Sequence, residues 1–165
     1  MCVTDGGVCA VTNDCCLGSV CLSGTCSPPP AILLPAPANF ERSYQAVCAT
    51  GSKPVWRFFD WQTITPSANS KIEFYAQSSA KGNDFATVPV YPAPVSIPGV
   101  VKLGTASGAS NTTWIGNDVG ALLLAAGFKS QQYLKVTIRM VPNDALSASP
   151  TLTNWRQNYS CVPAE

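Results

Sequence analysis

The cysteines are the most restrictive feature of this chain, because they are even in number and very unevenly placed. Six of the eight lie within the first 26 residues, whereas Cys48 and Cys161 flank most of the remaining chain. A segment as short as residues 1–27 cannot bury a sufficient apolar core, so crosslinks must hold it together. Zinc is the alternative to disulfides, but the chain has no CxxC pair and no His. We therefore expect disulfides and an extracellular or cell-surface location.

The charge balance excludes several classes of function. The chain has 10 Lys and Arg, 9 Asp and Glu and a formal net charge of +1. This balance provides no basic surface for nucleic acid, so we expect no nucleic-acid partner. Because the chain has no His, it cannot contain a Ser-His-Asp or Cys-His nucleophile system.

Paired carboxylates could still support acid–base chemistry, as in a glycosidase. Only Asp60, which lies between Phe59 and Trp61, has an apolar sequence environment. Its expected partner is Arg57 or another nearby cation. Since the sequence offers no convincing pair of carboxylates, we expect no enzymatic activity.

Residues 1–30 lack the basic start and long apolar run that are typical of a signal peptide or a membrane span. A disulfide-bonded protein must nevertheless be exported from the cytosol. We therefore interpret Met1 as a start introduced for expression. The chain is then expected to be a piece of a longer exported protein, with no membrane span in this fragment.

The first module, residues 1–27, contains an adjacent Cys15-Cys16 pair in the middle of six cysteines. This arrangement resembles the inhibitor-cystine-knot, or knottin, scaffold. The resemblance implies three disulfide pairs: Cys2–Cys16, Cys9–Cys21 and Cys15–Cys26. A small stapled spacer or cap is the favoured role. A knottin-type inhibitor is an alternative, although the loops lack any Lys or Arg that could block a trypsin-like protease or a channel.

Residues 28–38 are rich in proline and are predicted to form a semi-rigid, extended linker. From residue 39 onward, apolar and polar residues alternate with the period of two that is typical of half-buried strands. Strands are predicted at residues 40–48, 55–65, 71–79, 133–141 and 151–161, with shorter ones at 86–91 and 100–106. Together they predict a mainly β domain, residues 39–165, that folds as an antiparallel, jelly-roll-like β-sandwich.

Two strands carry more specific expectations. Residues 55–65 are aromatic at both odd and even positions, which predicts a strand that is covered on both faces. In residues 71–79, Glu73 alternates with the apolar positions and is expected to face solvent beside Lys71.

One short helix is predicted at residues 117–127. Asn117 is the expected N-cap, Asp118 suits the first turn, and Gly127 is expected to end the helix. Cys48 ends the first predicted strand and Cys161 ends the last, so we expect a disulfide that closes the second domain.

The second domain resembles β-sandwich accessory domains of bacterial surface proteins, including type IV pilus tip-adhesin-like proteins. The similarity rests on Phe59 and Trp61, on residues 66–74 and 133–138, and on residues 149–152. It implies a non-enzymatic module of a larger surface or appendage protein that acts in adhesion or assembly. The implied partner is another surface or appendage protein, or a glycan.

Trp114 and Tyr91 are predicted to be loop-side aromatics and are the candidate contacts with a ligand or partner. If both are exposed on one face, they favour the alternative function, a carbohydrate-binding accessory module. The proline-rich tract at residues 89–101 is either a docking surface for another protein or an irregular edge strand.

No cofactor is expected. The Asn-Asp pairs at residues 83–84, 117–118 and 143–144 could contribute to a structural calcium site. Turn chemistry explains the same pairs without a metal.

Overall fold

The computed structural model describes residues 20–22, 25–27, 36–65, 69–90, 96–108, 110–145 and 147–164. The chain divides into two compact units, residues 1–34 and residues 35–165. Within unit 1, strands β1 (Val20–Leu22) and β2 (Thr25–Ser27) form an antiparallel pair that sets Cys21 opposite Cys26. Cys2, Cys9, Cys15 and Cys16 lie outside the described residues, so the pairing implied by the knottin resemblance stays a prediction.

The described residues of unit 2 form two antiparallel sheets and one helix, which confirms the prediction of a mainly β fold with one short helix. The four-stranded sheet has the order β3-β8-β5-β6 and the three-stranded sheet has the order β7-β4-β9. The elements are β3 (Ala38–Gln45), β4 (Ser52–Ile64), β5 (Lys71–Ser79), β6 (Val101–Ser107), β7 (Asn111–Asp118), α1 (Val119–Ala125), β8 (Tyr133–Val141) and β9 (Thr151–Pro163).

The core of unit 2 lies where side chains of the two sheets meet. Phe74 of β5 stacks on Trp61 of β4 at 4.3 Å between ring centroids, and Phe59 of β4 packs 5.5 Å from Phe74. Because adjacent strand residues point to opposite faces, residues 60 and 62 point away from this core, as do residues 73, 75 and 77. The side of each sheet that points away from the core is called its outer face below.

The predicted disulfide between Cys48 and Cys161 is confirmed, with 5.6 Å between the two Cα atoms. Cys48 follows β3 of the four-stranded sheet, and Cys161 lies in β9 of the three-stranded sheet. The crosslink therefore joins the two sheets across a sequence separation of 113 residues. In the chain-entropy model, a loop of this length stabilises the fold by roughly 4–5 kcal/mol.

The helix is shorter than predicted, and its N-cap is Asp118 instead of Asn117. The Asp118 side chain accepts a hydrogen bond from the backbone N–H of Ala121, whereas Asn117 still lies within β7 and its side chain donates to the carbonyl of Leu103. Gly127 follows the C-cap with a positive φ of 81°, which supports its predicted role in ending the helix.

Two predictions about strands are wrong. Residues 86–90 form no strand, although β6 is close to its predicted position. Residues 111–118 form strand β7, so Trp114 lies on a strand and not in a loop.

Candidate functional site

The outer face of the four-stranded sheet carries a buried ion cluster around Glu73. Arg139 Nη1 lies 2.7 Å from Glu73 Oε2, and Lys102 and Lys71 reach Oε1 at 3.2 and 3.3 Å. Glu73 lies on the predicted side of the strand, beside Lys71 as expected. The prediction that it faces solvent is wrong, because Glu73 is buried together with Arg139.

The cations determine the charge state of this cluster. Burial by itself raises the pKa of Glu73, but hydrogen bonds from Arg139, Lys102 and Lys71 outweigh this effect and lower the pKa to about 2. Burial, together with the nearby Glu73 carboxylate, raises the pKa of Tyr75 to about 12. Glu73 therefore remains an anion and Tyr75 a neutral phenol at physiological pH.

A segment of the β5–β6 connection, residues 85–90, covers this face and is called the covering segment. Gln77 donates to the carbonyl of Ala86 at 2.9 Å and accepts from its N–H at 2.7 Å. Asn39 and Arg139 donate to the carbonyls of Val88 and Val90. The polar groups of this face are therefore engaged by the chain itself.

The covering segment includes the start of the proline-rich tract at residues 89–101. Val88 beside it is buried, and Val90 hydrogen-bonds through its backbone to the sheet. Residues 91–95, which include Tyr91, lie outside the described residues. Whether Tyr91 shares a face with Trp114 therefore stays a prediction.

The outer face of the three-stranded sheet is called the open face, because its central strand leaves large side chains in contact with solvent. Phe58 is 50% exposed and Ile64 is also exposed. The expectation that residues 55–65 are covered on both faces is therefore wrong. Only one face of β4, which contains Trp56, Phe59 and Trp61, is buried in the core.

Three side chains form an ordered cluster on the open face. Asp60 accepts a hydrogen bond of 2.7 Å from Arg156 Nε, and the Arg156 guanidinium lies over the Trp114 ring at 4.4 Å from its centroid. The predicted partner of Asp60 was Arg57 or another nearby cation. The cation is Arg156, and Arg57 donates to the hydroxyl of Ser160. The cluster spans all three strands, because Asp60 lies on β4, Arg156 on β9 and Trp114 on β7.

Gly116 explains how the Asp60 side chain fits. The two residues are directly opposite each other in the β4–β7 ladder. A Cβ atom at position 116 would lie within 3.0 Å of the Asp60 carboxylate and of the Phe59 carbonyl. Only glycine therefore leaves room for the carboxylate that holds Arg156.

Amide groups continue the polar surface beside the cluster. Gln62 donates to the carbonyl of Thr112 at 2.6 Å and accepts a hydrogen bond of 2.9 Å from the Asn154 amide. Asn154 lies two residues before Arg156 on β9, so both side chains project from the open face. This chain of amides again connects all three strands.

Three of the remaining carboxylates of the described residues have local partners. Glu41 pairs with Lys135, Asp118 caps α1, and Asp144 accepts from Asn69. In the part of the chain that the structure describes, no three or more His, Cys, Asp or Glu side chains cluster in a way that could hold a metal ion. Nor does any helix among those residues have the length and apolarity to cross a membrane.

Trp114 was predicted as a candidate contact, whereas Asp60 was considered only as a possible acid–base carboxylate. Arg156, which connects the two, was missed. Arg156 alternates with Trp155 in a predicted strand, so its outward direction was readable from the sequence. Its partners depend on the pairing of β4 with β9 and β7, which no local pattern reveals.

Comparisons with protein-family models, with curated proteins and with solved structures found no match to this chain.

Proposed function

We propose that residues 35–165 form a β-sandwich that serves as a non-enzymatic, extracellular module of a larger bacterial surface or appendage protein. The N-terminal unit acts as a knottin-like spacer or cap. The module acts in adhesion or assembly and binds its partner through the open face. Aromatic contacts between the two sheets and the Cys48–Cys161 crosslink support the sandwich architecture.

The contrast between the two outer faces carries this proposal. The covering segment engages polar groups of the four-stranded sheet, whereas the open face presents Trp114 with 42% of its surface exposed. Trp is mostly buried in folded proteins, and an exposed Trp held in one orientation is typical of a binding surface. Arg156 and Asp60 supply that fixed orientation.

Adherence of protein-coated beads to intact cells tests the proposal. Beads that carry the full chain are applied to a panel of bacterial and eukaryotic cells, and bound beads are counted against uncoated beads. We expect adherence to at least one cell type and its loss in Trp114→Ala. Ile115→Ala is the matched control, because it removes an exposed apolar side chain from the opposite face of the same strand.

Adherence that is no greater than that of uncoated beads would contradict the proposed function. If Trp114→Ala adheres as well as the unchanged chain, the open face is not the surface through which the module binds. The extracellular location is tested separately by thiol titration of the protein isolated from its native source. Free thiols there would contradict the location.

A further inference from the structure

From the geometry of the open face we infer that its ligand is an uncharged saccharide, with one pyranose ring placed on the exposed part of the Trp114 indole. The inference rests on the proposed binding role of this face and specifies the class of partner. It concerns the cluster of Trp114, Arg156 and Asp60 together with the neighbouring amide of Asn154.

The indole provides the apolar contact that a sugar ring needs. One side of a pyranose presents several C–H groups with a small positive charge, and the face of an aromatic ring is negative. The Arg156 guanidinium occupies one side of the Trp114 ring, but the residue is still 42% exposed, so the remaining ring surface is accessible without a conformational change.

The cluster holds this ring in place before any ligand arrives. Asp60 fixes Arg156 through a hydrogen bond of 2.7 Å, and the Arg156 guanidinium packs on Trp114. Ordering a free side chain on binding costs conformational entropy, and a preordered side chain avoids that cost. Such support from a neighbouring strand is what a rigid binding platform requires.

Hydrogen-bonding groups around the ring remain available for hydroxyls. Arg156 uses Nε for Asp60, and its side chain is 51% exposed, which leaves the two terminal nitrogens as donors. The Asn154 amide nitrogen bonds to Gln62, and its oxygen accepts no hydrogen bond among the described residues. Saccharide hydroxyls both donate and accept, so they match this mixture of donors and acceptors.

The charges of the cluster favour an uncharged ligand. Asp60 and Arg156 form an ion pair, so their opposite charges cancel at the site. An anionic sugar would gain little from an arginine that is already neutralised, and it would approach the Asp60 carboxylate. A protein partner is the alternative occupant, and the experiment below distinguishes the two.

Binding of the full chain to a glycan array is the first experiment, followed by calorimetry with three neutral oligosaccharides and one acidic oligosaccharide. The probes are cellohexaose, mannohexaose and xylohexaose as neutral ligands, and a polygalacturonate hexamer as the acidic ligand. We expect a neutral probe to bind and Trp114→Ala to weaken it by about tenfold or more. Trp114→Phe should retain part of the affinity, and Ile115→Ala should match the unchanged chain.

Asp60→Asn provides the second measurement, because it leaves Arg156 without its counter-charge. We expect weaker binding of the neutral probe and stronger binding of the acidic probe. Thermal unfolding of each variant shows whether it is folded. If Trp114→Ala does not fold, the partial loss of affinity expected for Trp114→Phe tests the inference in its place.

The outcomes separate the inference from the proposed function. If no glycan binds but bead adherence still depends on Trp114, the saccharide inference is wrong and a protein partner replaces it. If an acidic glycan binds better than every neutral one, the inference of an uncharged ligand is wrong. If neither glycans nor cells are bound, both proposals fail.

Discussion

Asp60 and Glu73 occupy comparable positions on the outer faces of the two sheets, yet their environments differ. Each carboxylate pairs with an arginine on a neighbouring strand at 2.7 Å. The side chain of Arg139, the partner of Glu73, is 3% exposed, whereas that of Arg156, the partner of Asp60, is 51% exposed. Both pairs join a carboxylate to an arginine, so the different exposure of the two arginines must come from the segments that pack over them.

The covering segment accounts for this difference. It accepts hydrogen bonds from Gln77, Asn39 and Arg139, and the Glu73–Arg139 pair lies buried beneath it, whereas Lys71 and Lys102 remain partly exposed. Breaking an ion pair costs several kcal/mol when the arginine left behind is buried, and about 0–1 kcal/mol when that arginine is solvated. Both carboxylates are buried, so the exposure of the arginine distinguishes the two pairs. The Glu73 cluster is therefore expected to contribute to stability, and the Asp60 cluster is the one proposed to bind.

The largest effect is expected when the buried cluster is broken. Glu73→Gln leaves Arg139 buried without its counter-charge, so the free energy of unfolding should fall by roughly 3–5 kcal/mol. Urea titration of the variant and the unchanged chain measures this difference. Lys102→Gln, which removes a half-exposed partner of the same carboxylate and leaves Arg139 and Lys71 in place, is the control and should cost less than about 1 kcal/mol. A similar loss in both variants would contradict the comparison.

The same cluster predicts how stability depends on pH. The pKa of Glu73 is lowered from 4.5 to about 2 in the folded chain, so the folded state binds its proton less readily than the unfolded state. The stabilisation by Glu73 is thus complete above pH 4.5 and is lost as the pH falls toward 2. Urea titrations between pH 6 and pH 2 should show a steeper decrease for the unchanged chain than for Glu73→Gln. If the free energy of unfolding falls equally steeply with pH in both proteins, Glu73 does not contribute to the pH dependence of stability.

An intermediate effect is expected from detaching the covering segment. Gln77→Ala removes both side-chain hydrogen bonds to Ala86 and should cost about 1–3 kcal/mol. Hydrogen exchange of the Ala86 amide should also become faster. Gln62→Ala on the open face is the matched control, because it removes an amide of the same length from an exposed position. Unchanged exchange at Ala86 would mean that Gln77 does not hold the segment.

The smallest effect on stability is expected on the open face. Asp60→Asn breaks an ion pair whose arginine is largely exposed, so the free energy of unfolding should change by about 1 kcal/mol or less. Urea titration measures this change beside that of Glu73→Gln. A loss as large as that of Glu73→Gln would show that the Asp60 cluster is also mainly structural.

Sequence patterns predicted the central strands well, because burial on one face imposes a period of two. Strands β5 and β8 have the bounds that were predicted. Strand β7 was missed, since residues 111–118 contain turn-forming Asn, Gly and Asp and lie at the edge of a sheet. The helix N-cap was misplaced by one residue because Asn117 and Asp118 are both good caps.

The candidate site was only partly predictable, because it depends on contacts between strands that are distant in sequence. Trp114 and Asp60 were recognised from their own residue types and neighbours. Their connection through Arg156 depends on strands β4, β7 and β9 being adjacent, and β9 is about 40 residues from β7 in sequence.

The amino-acid sequence alone determined the mainly β character of this chain, the inward side of most strands and the disulfide between Cys48 and Cys161. These features follow from local alternation and from the small number of cysteines that can pair. Only the tertiary structure decided that Glu73 is covered and that Asp60 holds Arg156 against an exposed Trp114. Both outcomes depend on which distant segments pack on each sheet, and desolvation, which separates a structural ion pair from an accessible one, is a property of that packing.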